Sequence, residues 1–293
     1  MTGVQVHLVD GTYELFRYFY ALPEHYDPDG VDVGAVRGVV RSMLDLLEEA
    51  THVGVATDHV IESFRNDLWA DYKTGSGIDP VLWRQFPLLE DALRALGVAV
   101  WAEIELEADD ALASGAAVAE RDERVERIVI CTPDKDLAQC VADPRVVQLD
   151  RRKGELRDEA GVRAKFGVEP ASIPDWLALV GDSADGFPGL PGWGAKSAAT
   201  VLARYGTIES IPRRALDWDI DVRGSSKLAA TLDERRADAE LFKLLATLRT
   251  DAAVGAVDDW EWSGPSPDFA ACAERLGQPA LLKRAESLAA RRG

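Results

Sequence analysis

Short, almost wholly apolar segments alternate with amphipathic helical patterns through the first half of the chain, and this alternation constrains the fold more than any other feature. The predicted strands are residues 4–9, 53–56, 98–101, 127–131 and 146–149. Most of them lack the regular polar positions of a half-exposed strand, which is typical of a parallel sheet covered by helices on both faces. The sequence therefore predicts an α/β fold with a mostly parallel central sheet flanked by helices.

Acidic residues follow most of the predicted strands. They are Asp10, Asp58, Glu107, Asp109, Asp110, Asp134 and Asp136. The carboxyl ends of parallel strands meet at one edge of a sheet, where α/β proteins build their sites. We therefore expect these carboxylates to converge on one rim.

The densest acidic cluster, Glu107 to Asp110, lies at the predicted start of a helix. One interpretation is capping, because acidic side chains in a first helical turn are favoured by the helix dipole. The other is a metal site, because neighbouring carboxylates repel each other and Mg²⁺ or Mn²⁺ prefers carboxylate oxygens. On this cluster alone the two interpretations weigh equally, and the predicted rim favours the metal.

Composition sets wider bounds. The 293 residues, 47% of them hydrophobic, are enough for one large domain or two smaller ones. No apolar run reaches membrane-spanning length, the first residues lack a signal-peptide pattern, and Cys131, Cys140 and Cys272 show no metal-binding spacing. We expect a reduced, cytoplasmic protein with no membrane partner.

The net charge of −18 argues against a nucleic-acid partner, because phosphate binding rests on Lys and Arg. The objection weakens if many of the acids surround bound cations, which reverse the local field.

From Pro170 onward the chain is mainly helical, and Pro191–Ala198 fits a helix–hairpin–helix pattern. Glycines such as Gly189, Gly192 and Gly194 allow a backbone to approach phosphate closely. The amides at the start of the next helix, at Lys196 and Ser197, would point at the anion, and Lys196 adds a charge. A purely structural turn is the alternative, and we favour phosphate contact.

Arg65, Tyr72 and Lys73 lie between a predicted strand and a predicted helix. They could form a solvated surface with snorkelling side chains. Beside an acidic rim we favour a catalytic role, in which the two cations clamp a scissile phosphate and Tyr72 offers a stacking face.

Asp10-Gly11-Thr12 after a strand suggests one rival class, the haloacid-dehalogenase-like phosphatases. Their nucleophilic aspartate would stand at position 8, and Leu8 cannot attack phosphorus. This interpretation lacks its central residue.

The order of these motifs resembles the 5′-nucleases, or flap endonucleases, including the 5′-nuclease domain of bacterial DNA polymerase I. The resemblance runs from about Val4 to about Thr250 and is most specific at Glu107–Asp110, Thr132–Leu137 and Gly181–Ala198. One departure is Ala184-Asp185-Gly186, where the family usually has Ser-Asp-Asn.

The resemblance implies a PIN-like nuclease core over residues 1–170, with a helical arch segment at about 64–90. It implies a helix–hairpin–helix DNA-binding region and C-terminal helices over residues 171–293, commonly with a K⁺ ion at the hairpin. It also implies two divalent ions, Mg²⁺ or Mn²⁺, held by acidic residues at nine positions. These are Asp10, Asp58, Glu107, Asp109, Asp110, Asp134, Asp136, Asp182 and Asp185.

The function implied is two-metal hydrolysis of DNA phosphodiester bonds near 5′ ends or flaps, as a stand-alone 5′-3′ exonuclease or flap endonuclease in replication and repair. RNA primers are a further candidate substrate, and we expect a monomer. Two alternatives stay open: a non-catalytic flap- or single-strand-binding protein of the same fold, and a related metal-dependent ribonuclease.

Overall fold

Four parallel strands form a sheet in the order β3-β2-β1-β4. Their bounds are β1 Val4–Asp10, β2 His52–Asp58, β3 Ala99–Glu103 and β4 Val125–Cys131. The central strand β1 is buried from Val6 to Asp10, including the polar His7, as expected of a strand covered on both faces. This arrangement confirms the predicted parallel sheet. The predicted ends of these four strands agree with the observed ends to within about two residues.

The structure is a computed structural model, and it describes residues 3–292. Helices connect the four parallel strands and follow them in the chain. Their bounds are α1 Gly11–Ala21, α2 Gly34–Leu46, α3 Phe64–Leu68, α4 Pro80–Trp83, α5 Gln85–Leu96, α6 Ala108–Glu120, α7 Glu159–Phe166, α8 Ile173–Val180, α9 Ala195–Tyr205, α10 Ser225–Glu234, α11 Arg236–Ala246, α12 Phe269–Arg275 and α13 Ala280–Ala290. The sequence patterns at 173–180 and about 195–205 predict helices, and α8 and α9 lie there. The patterns at 80–96, 225–248 and 267–290 each predict one longer helix, and the structure divides these at Arg84, at Arg235, and between Arg275 and Ala280.

Two compact units, built from interleaved stretches of chain, account for the packing. The sheet unit contains the described residues up to Ile61, then Gly75–Thr132, then those from Thr250 onward. The helical unit contains Glu62–Thr74 and Pro133–Arg249. This division differs from the predicted boundary near residue 170, because the C-terminal helices pack in the sheet unit and part of the predicted arch segment packs in the helical unit.

The helical unit also contains a short antiparallel hairpin of β5, Val146–Asp150, and β6, Glu155–Arg157. Sequence reasoning found β5 and missed β6, which is only three residues long and mostly exposed. The core of this unit gathers apolar side chains of α8, α9 and α11 around Phe187 and Phe242. Lys243 of α11 pairs with the buried carboxylate of Asp175 on α8 at 2.9 Å.

Within residues 3–292, none of the helices combines the length and apolar character that crossing a bilayer requires.

Gly54 in β2 lies directly under the ring of Trp101 in β3, where an added methyl group would overlap the indole. The ring has little room to move, because it packs edge-on against Trp260, whose own indole N–H donates to the Val254 carbonyl at 2.7 Å. The close packing of β2 and β3 therefore depends on the absence of a side chain at position 54.

We predict that Gly54→Ala lowers the free energy of unfolding by about 1–3 kcal/mol, the usual cost of overpacking a core. Denaturant unfolding of parent and variant measures the difference. Gly194→Ala is the matched control, because a methyl group there meets no atom within 4 Å; it should change stability by less than about 0.5 kcal/mol. Equal effects of the two variants would contradict the packing argument.

Candidate metal and nucleic-acid binding sites

Carboxylates of the sheet unit gather at the carboxyl ends of its strands. Asp10 ends β1 and caps α1, its Oδ1 accepting from Tyr13 N at 2.7 Å while its Oδ2 accepts from Thr132 Oγ1 at 2.9 Å. Asp58 ends the neighbouring strand β2, and its Oδ1 accepts from Ala108 N, the first residue of α6, at 2.8 Å. Asp10, Asp58 and the start of α6 therefore share one edge of the parallel sheet.

The Glu107–Asp110 cluster forms the N-terminus of α6. Glu107 is the N-cap residue, and its backbone N–H donates to Asp110 Oδ2 at 3.0 Å, which is half of a reciprocal capping box. Both side chains are buried, and Asp109 is half-buried. Capping thus explains the hydrogen bond of Asp110, whereas the metal-ligand role of all three stays a prediction.

Sequence reasoning overlooked one acidic residue of this edge, Glu103, the last residue of β3. Burial and then the negative charges of Asp110 and Asp58 raise the pKa of its carboxyl group. Its register partner across the sheet is Asp58, so the position of an acid at the end of a predicted strand was the signal that could have found it.

A tight carboxylate cluster lies in the helical unit. Asp136, Asp182 and Asp185 are buried, and each offers one oxygen within 4.8 Å of the others. Burial raises the pKa of Asp136 well above its usual range, and the nearby charges of Asp134 and Asp185 add to the effect. Its Oδ1 atom is buried without a hydrogen-bond partner. Three neighbouring hard oxygens from three buried carboxylates are a donor set that suits a divalent cation such as Mg²⁺ or Mn²⁺.

The loop between α8 and α9 positions two of these acids. Asp182 and Phe187 exchange backbone hydrogen bonds of 2.8 and 3.0 Å, which closes residues 183–186 into a tight loop carrying Asp185. The Asp182 side chain also accepts from Ala184 N at 3.0 Å. Asp134, half-buried, accepts from Asp136 N at 2.9 Å and so fixes the turn that presents Asp136.

Two lysines supply positive charge to this cluster. Lys135 Nζ lies 2.6 Å from Asp182 Oδ2 and 3.6 Å from Asp136 Oδ1, and Lys73 Nζ lies 3.2 Å from Asp185 Oδ1. Burial alone would lower the pKa of Lys135, but the carboxylates of Asp136 and Asp182 outweigh it and raise that pKa. Lys73 therefore pairs with Asp185, a predicted metal ligand. Lys135, to which the sequence analysis assigns no role, pairs with another predicted ligand, Asp182.

Arg65 and Tyr72 do not lie on an accessible surface in this structure, and their predicted roles as clamp and stacking face stay predictions. Arg65 is 1% exposed; its Nε donates to the Leu245 carbonyl at 2.8 Å and its guanidinium also donates to the Thr247 carbonyl. Tyr72 is 3% exposed and belongs to the core of the helical unit. Both side chains anchor the 62–74 segment. The guanidinium group of Arg65 does so through its hydrogen bonds to the two carbonyls, and the ring of Tyr72 does so by packing in the core.

The glycine hairpin between α8 and α9 divides into a packed part and an open part. Gly189 has φ +67 and is buried against the backbone of Leu179 and Gly181, so its lack of a side chain serves chain packing, and its predicted DNA contact stays a prediction. Gly192 and Gly194 have no atom within 4 Å of an added Cβ. A ligand backbone could therefore approach them closely.

The start of α9 borders a groove of about 650 Å³. Gly192, Gly194, Lys196 and Ser197 line one side, and Arg223 belongs to the same lining. Lys196 is exposed, whereas the Ser197 hydroxyl exchanges hydrogen bonds with the Gly194 backbone at 3.0 Å. The groove thus combines open backbone, a helix N-terminus and two basic side chains with one acidic residue, Asp221, and its basic and backbone groups are suited to phosphate.

Family models match nearly the whole chain. The 5′-3′ exonuclease N-terminal resolvase-like domain matches residues 5–167, and the 5′-3′ exonuclease C-terminal SAM fold matches residues 168–268. The chain belongs to the 5′-3′ exonuclease family. The two models meet close to the start of α8, the first helix of the predicted helix–hairpin–helix.

Individual relatives agree with this family assignment. DNA polymerase I of Bacillus caldotenax is 35% identical, over 96% of this chain and 32% of its own length. A 5′-3′ exonuclease of Aquifex aeolicus is 32% identical, over 84% of this chain and 82% of its own length. The exonuclease-family chain thus spans about a third of the length of the polymerase relatives, and most of the length of a relative named as an exonuclease.

A solved structure also has the same fold. The flap endonuclease of bacteriophage T5, in a complex with DNA and metal ions, superimposes with a TM-score of 0.65 over 97% of each chain at 15% identity. At that identity the likeness bears on the fold of this exonuclease-family chain and not on its individual residues.

We predict that Gly194→Val lowers affinity for duplex DNA by roughly tenfold, or about 1.4 kcal/mol, because the isopropyl group would obstruct phosphate approach. The backbone tolerates valine there, since φ −141 and ψ 169 are extended and the space is open. Fluorescence anisotropy at fixed salt measures the affinity. Ala237→Val, exposed on α11, is the control. Unchanged affinity in folded Gly194→Val would make the hairpin purely structural.

Proposed function

We propose that this chain is a metal-dependent 5′-3′ exonuclease and flap endonuclease that hydrolyses DNA phosphodiester bonds near 5′ ends. The observation that carries the proposal is the buried cluster of Asp136, Asp182 and Asp185, with its unsatisfied Asp136 oxygen, in a chain of the 5′-3′ exonuclease family. A chain that only bound DNA would gain nothing from burying mutually repelling carboxylates, which cost stability unless a cation compensates them.

Two divalent cations, Mg²⁺ or Mn²⁺, are the proposed cofactors. In the sheet unit the proposed ligands are Asp10, Asp58, Glu107, Asp109 and Asp110, and in the helical unit they are Asp134, Asp136, Asp182 and Asp185. When bound, such ions make a coordinated water acidic and stabilise the leaving oxygen of a phosphodiester. The carboxylates would hold the ions through their oxygens, the ligand atoms that hard cations prefer.

Lys73 is the proposed catalytic cation of the chain itself. Its ammonium group is half-buried and lies 3.2 Å from Asp185 in the described structure. A divalent ion taken up by Asp185 would weaken that ion pair and leave the ammonium group available to the charge that develops on the phosphate. Arg65 and Tyr72 would contribute indirectly, by anchoring the segment that carries Lys73.

DNA is the proposed partner, held through the open part of the hairpin by Gly192, Gly194, Lys196 and Ser197, with K⁺ as a further ion at this site. The relative from bacteriophage T5 has been solved with DNA and metal ions, which supports this choice. Metal-loaded carboxylates offset part of the net charge of −18 that would otherwise repel phosphates. RNA primers as substrate, a monomeric state, a cytoplasmic location and roles in replication and repair remain part of the proposal.

The direct test is cleavage of a labelled 5′-flap duplex with and without Mg²⁺, with product lengths read on a gel. Short 5′ products indicate exonuclease action, and a product of flap length indicates endonuclease action. Binding without cleavage in Mg²⁺ would instead favour the non-catalytic alternative, and preference for an RNA strand would favour the ribonuclease.

We predict that excess chelator abolishes cleavage and that Mg²⁺ or Mn²⁺ restores it, because the proposed ions activate the water and stabilise the leaving oxygen. Initial rates across a metal titration measure the effect. Undiminished cleavage in excess chelator would rule out the two-metal mechanism.

We also predict that Asp134→Asn lowers single-turnover cleavage at least about 10²-fold, by analogy with removing one preorganised electrostatic group. An asparagine oxygen can still accept the hydrogen bond from Asp136 N, so the turn should persist. Asp233→Asn, an exposed α10 acid paired with Arg213, is the control and should cleave at the parental rate. A parental rate in Asp134→Asn would show that Asp134 is not a ligand.

Binding by Asp134→Asn should change in the opposite direction. Without metal, the carboxylates repel DNA phosphates, so removing one charge should leave flap affinity equal to the parent or higher. With Ca²⁺ present, the parent should recover the difference, because its bound ions offset the cluster. Anisotropy at fixed salt separates the two states. Clearly weaker metal-free binding by the variant would show that Asp134 supports the fold or contacts DNA.

A further inference from the structure

The loop that carries Asp185 is held from one side by the segment Asn66–Lys73. Lys73 N donates to the Asp185 carbonyl at 3.1 Å, and the indole N–H of Trp69 donates to the Gly186 carbonyl at 3.0 Å. The carbonyl groups of two consecutive residues, on either side of the Gly186 Cα atom, are therefore tied to the same segment. The first belongs to the peptide that follows the Asp185 Cα atom and the second to the next peptide, so the segment restrains the backbone immediately after Asp185 and with it the direction of the carboxylate.

Gly186 lets the two backbones meet. It has φ +83, a region that side chains disfavour, and an added Cβ would overlap the carbonyl oxygen of Asp71. The Asn66–Lys73 segment consequently packs directly against the loop backbone, with no side chain between them to absorb a shift.

Trp69 is itself rigidly placed. Its ring packs edge-on against Phe242 with centroids 5.3 Å apart, and Phe242 stacks on Phe187 at 5.6 Å. Phe187 in turn exchanges backbone hydrogen bonds with Asp182. Trp69 is thus linked to the Asp185 side of the loop directly through its N–H, and to the Asp182 side indirectly through the rings of Phe242 and Phe187.

We propose that Trp69 is a positioning residue for the carboxylate cluster: it fixes Asp185 at the distance from Asp136 and Asp182 that a shared divalent ion requires. This inference rests on the proposed function, because it assumes that the cluster binds a metal. Groups that orient metal ligands typically contribute 10-fold to 100-fold to metal affinity, and sites with loosely held ligands lose affinity without losing their fold.

The test compares Trp69→Phe with the parent by titration calorimetry with Mn²⁺ in the absence of DNA. Phenylalanine keeps an aromatic ring against Phe242, but it removes the N–H donor together with the second ring of the indole. We expect the Mn²⁺ Kd of the affected site to rise roughly tenfold, and the Mg²⁺ concentration for half-maximal single-turnover cleavage to rise in parallel. The cleavage rate at saturating Mg²⁺ should stay near the parental value.

Trp218→Phe is the matched control. Its indole N–H donates to the Pro212 carbonyl at 2.8 Å in the same unit, so the substitution removes an equivalent hydrogen bond elsewhere. It should lower the melting temperature about as much as Trp69→Phe and leave Mn²⁺ affinity unchanged. Asn66→Ala loosens the same segment independently, since Asn66 Nδ2 donates to the Lys73 carbonyl at 3.0 Å, and should weaken Mn²⁺ binding in the same direction.

Asp185→Asn separates failure of this inference from failure of the proposed function. If Trp69 acts through Asp185, the effect of Trp69→Phe on Mn²⁺ affinity should disappear in the Asp185→Asn background. Unchanged Mn²⁺ affinity in folded Trp69→Phe, with weakened binding in Asp185→Asn, would overturn the positioning role alone. Parental Mn²⁺ binding in Asp185→Asn would overturn the ligand assignment in the proposed function.

Discussion

Repulsion among buried carboxylates is the constraint on which the rest of this structure depends. Asp136, Asp182 and Asp185 approach each other in a place that water does not screen, and burial makes their repulsion stronger than it would be at a surface. Lys135 and Lys73 relieve part of that repulsion, yet one oxygen of Asp136 stays without a hydrogen bond. A fold selected for stability alone would replace such a cluster with apolar side chains, so its presence points to binding.

Several independent hydrogen bonds accordingly hold the backbone around this cluster. Asp182 and Phe187 close the loop, Asp134 fixes the turn before Asp136, and the segment ending at Lys73 supports Asp185. In the sheet unit the same principle has a simpler form, because parallel strands bring Asp10 and Asp58 to one edge and the capping of α6 orients Glu107 and Asp110. Side chains that repel each other need rigid attachment, and regular secondary structure with capped helices supplies it.

Features that depend on local pattern could be predicted from the sequence, and features that depend on distant partners could not. The parallel strands and the bounds of α8 and α9 follow from periodicity over a few residues, and the structure confirms them. The burial of Arg65 could not be predicted, because it depends on carbonyls about 180 positions later in the chain, which no local pattern contains. Gly189 and Gly194 belong to one sequence motif, yet only the fold distinguishes the packed glycine from the open one. The position of each acid was predictable, whereas the close meeting of Asp136 with Asp182 and Asp185 needed tertiary contacts.

The interleaving of the two units has a consequence for how the chain folds. The core of the sheet unit includes Trp260, packed on Trp101, and Trp262, whose indole N–H donates to the Leu96 carbonyl. These contacts join residues more than 150 positions apart and close the unit only after the whole helical unit has been traversed in sequence. Contacts of such separation slow folding, because loop closure must be completed before they contribute. During synthesis the early strands therefore stay partly uncovered until the residues from Thr250 onward are made, so this stretch governs when the sheet becomes protected from aggregation.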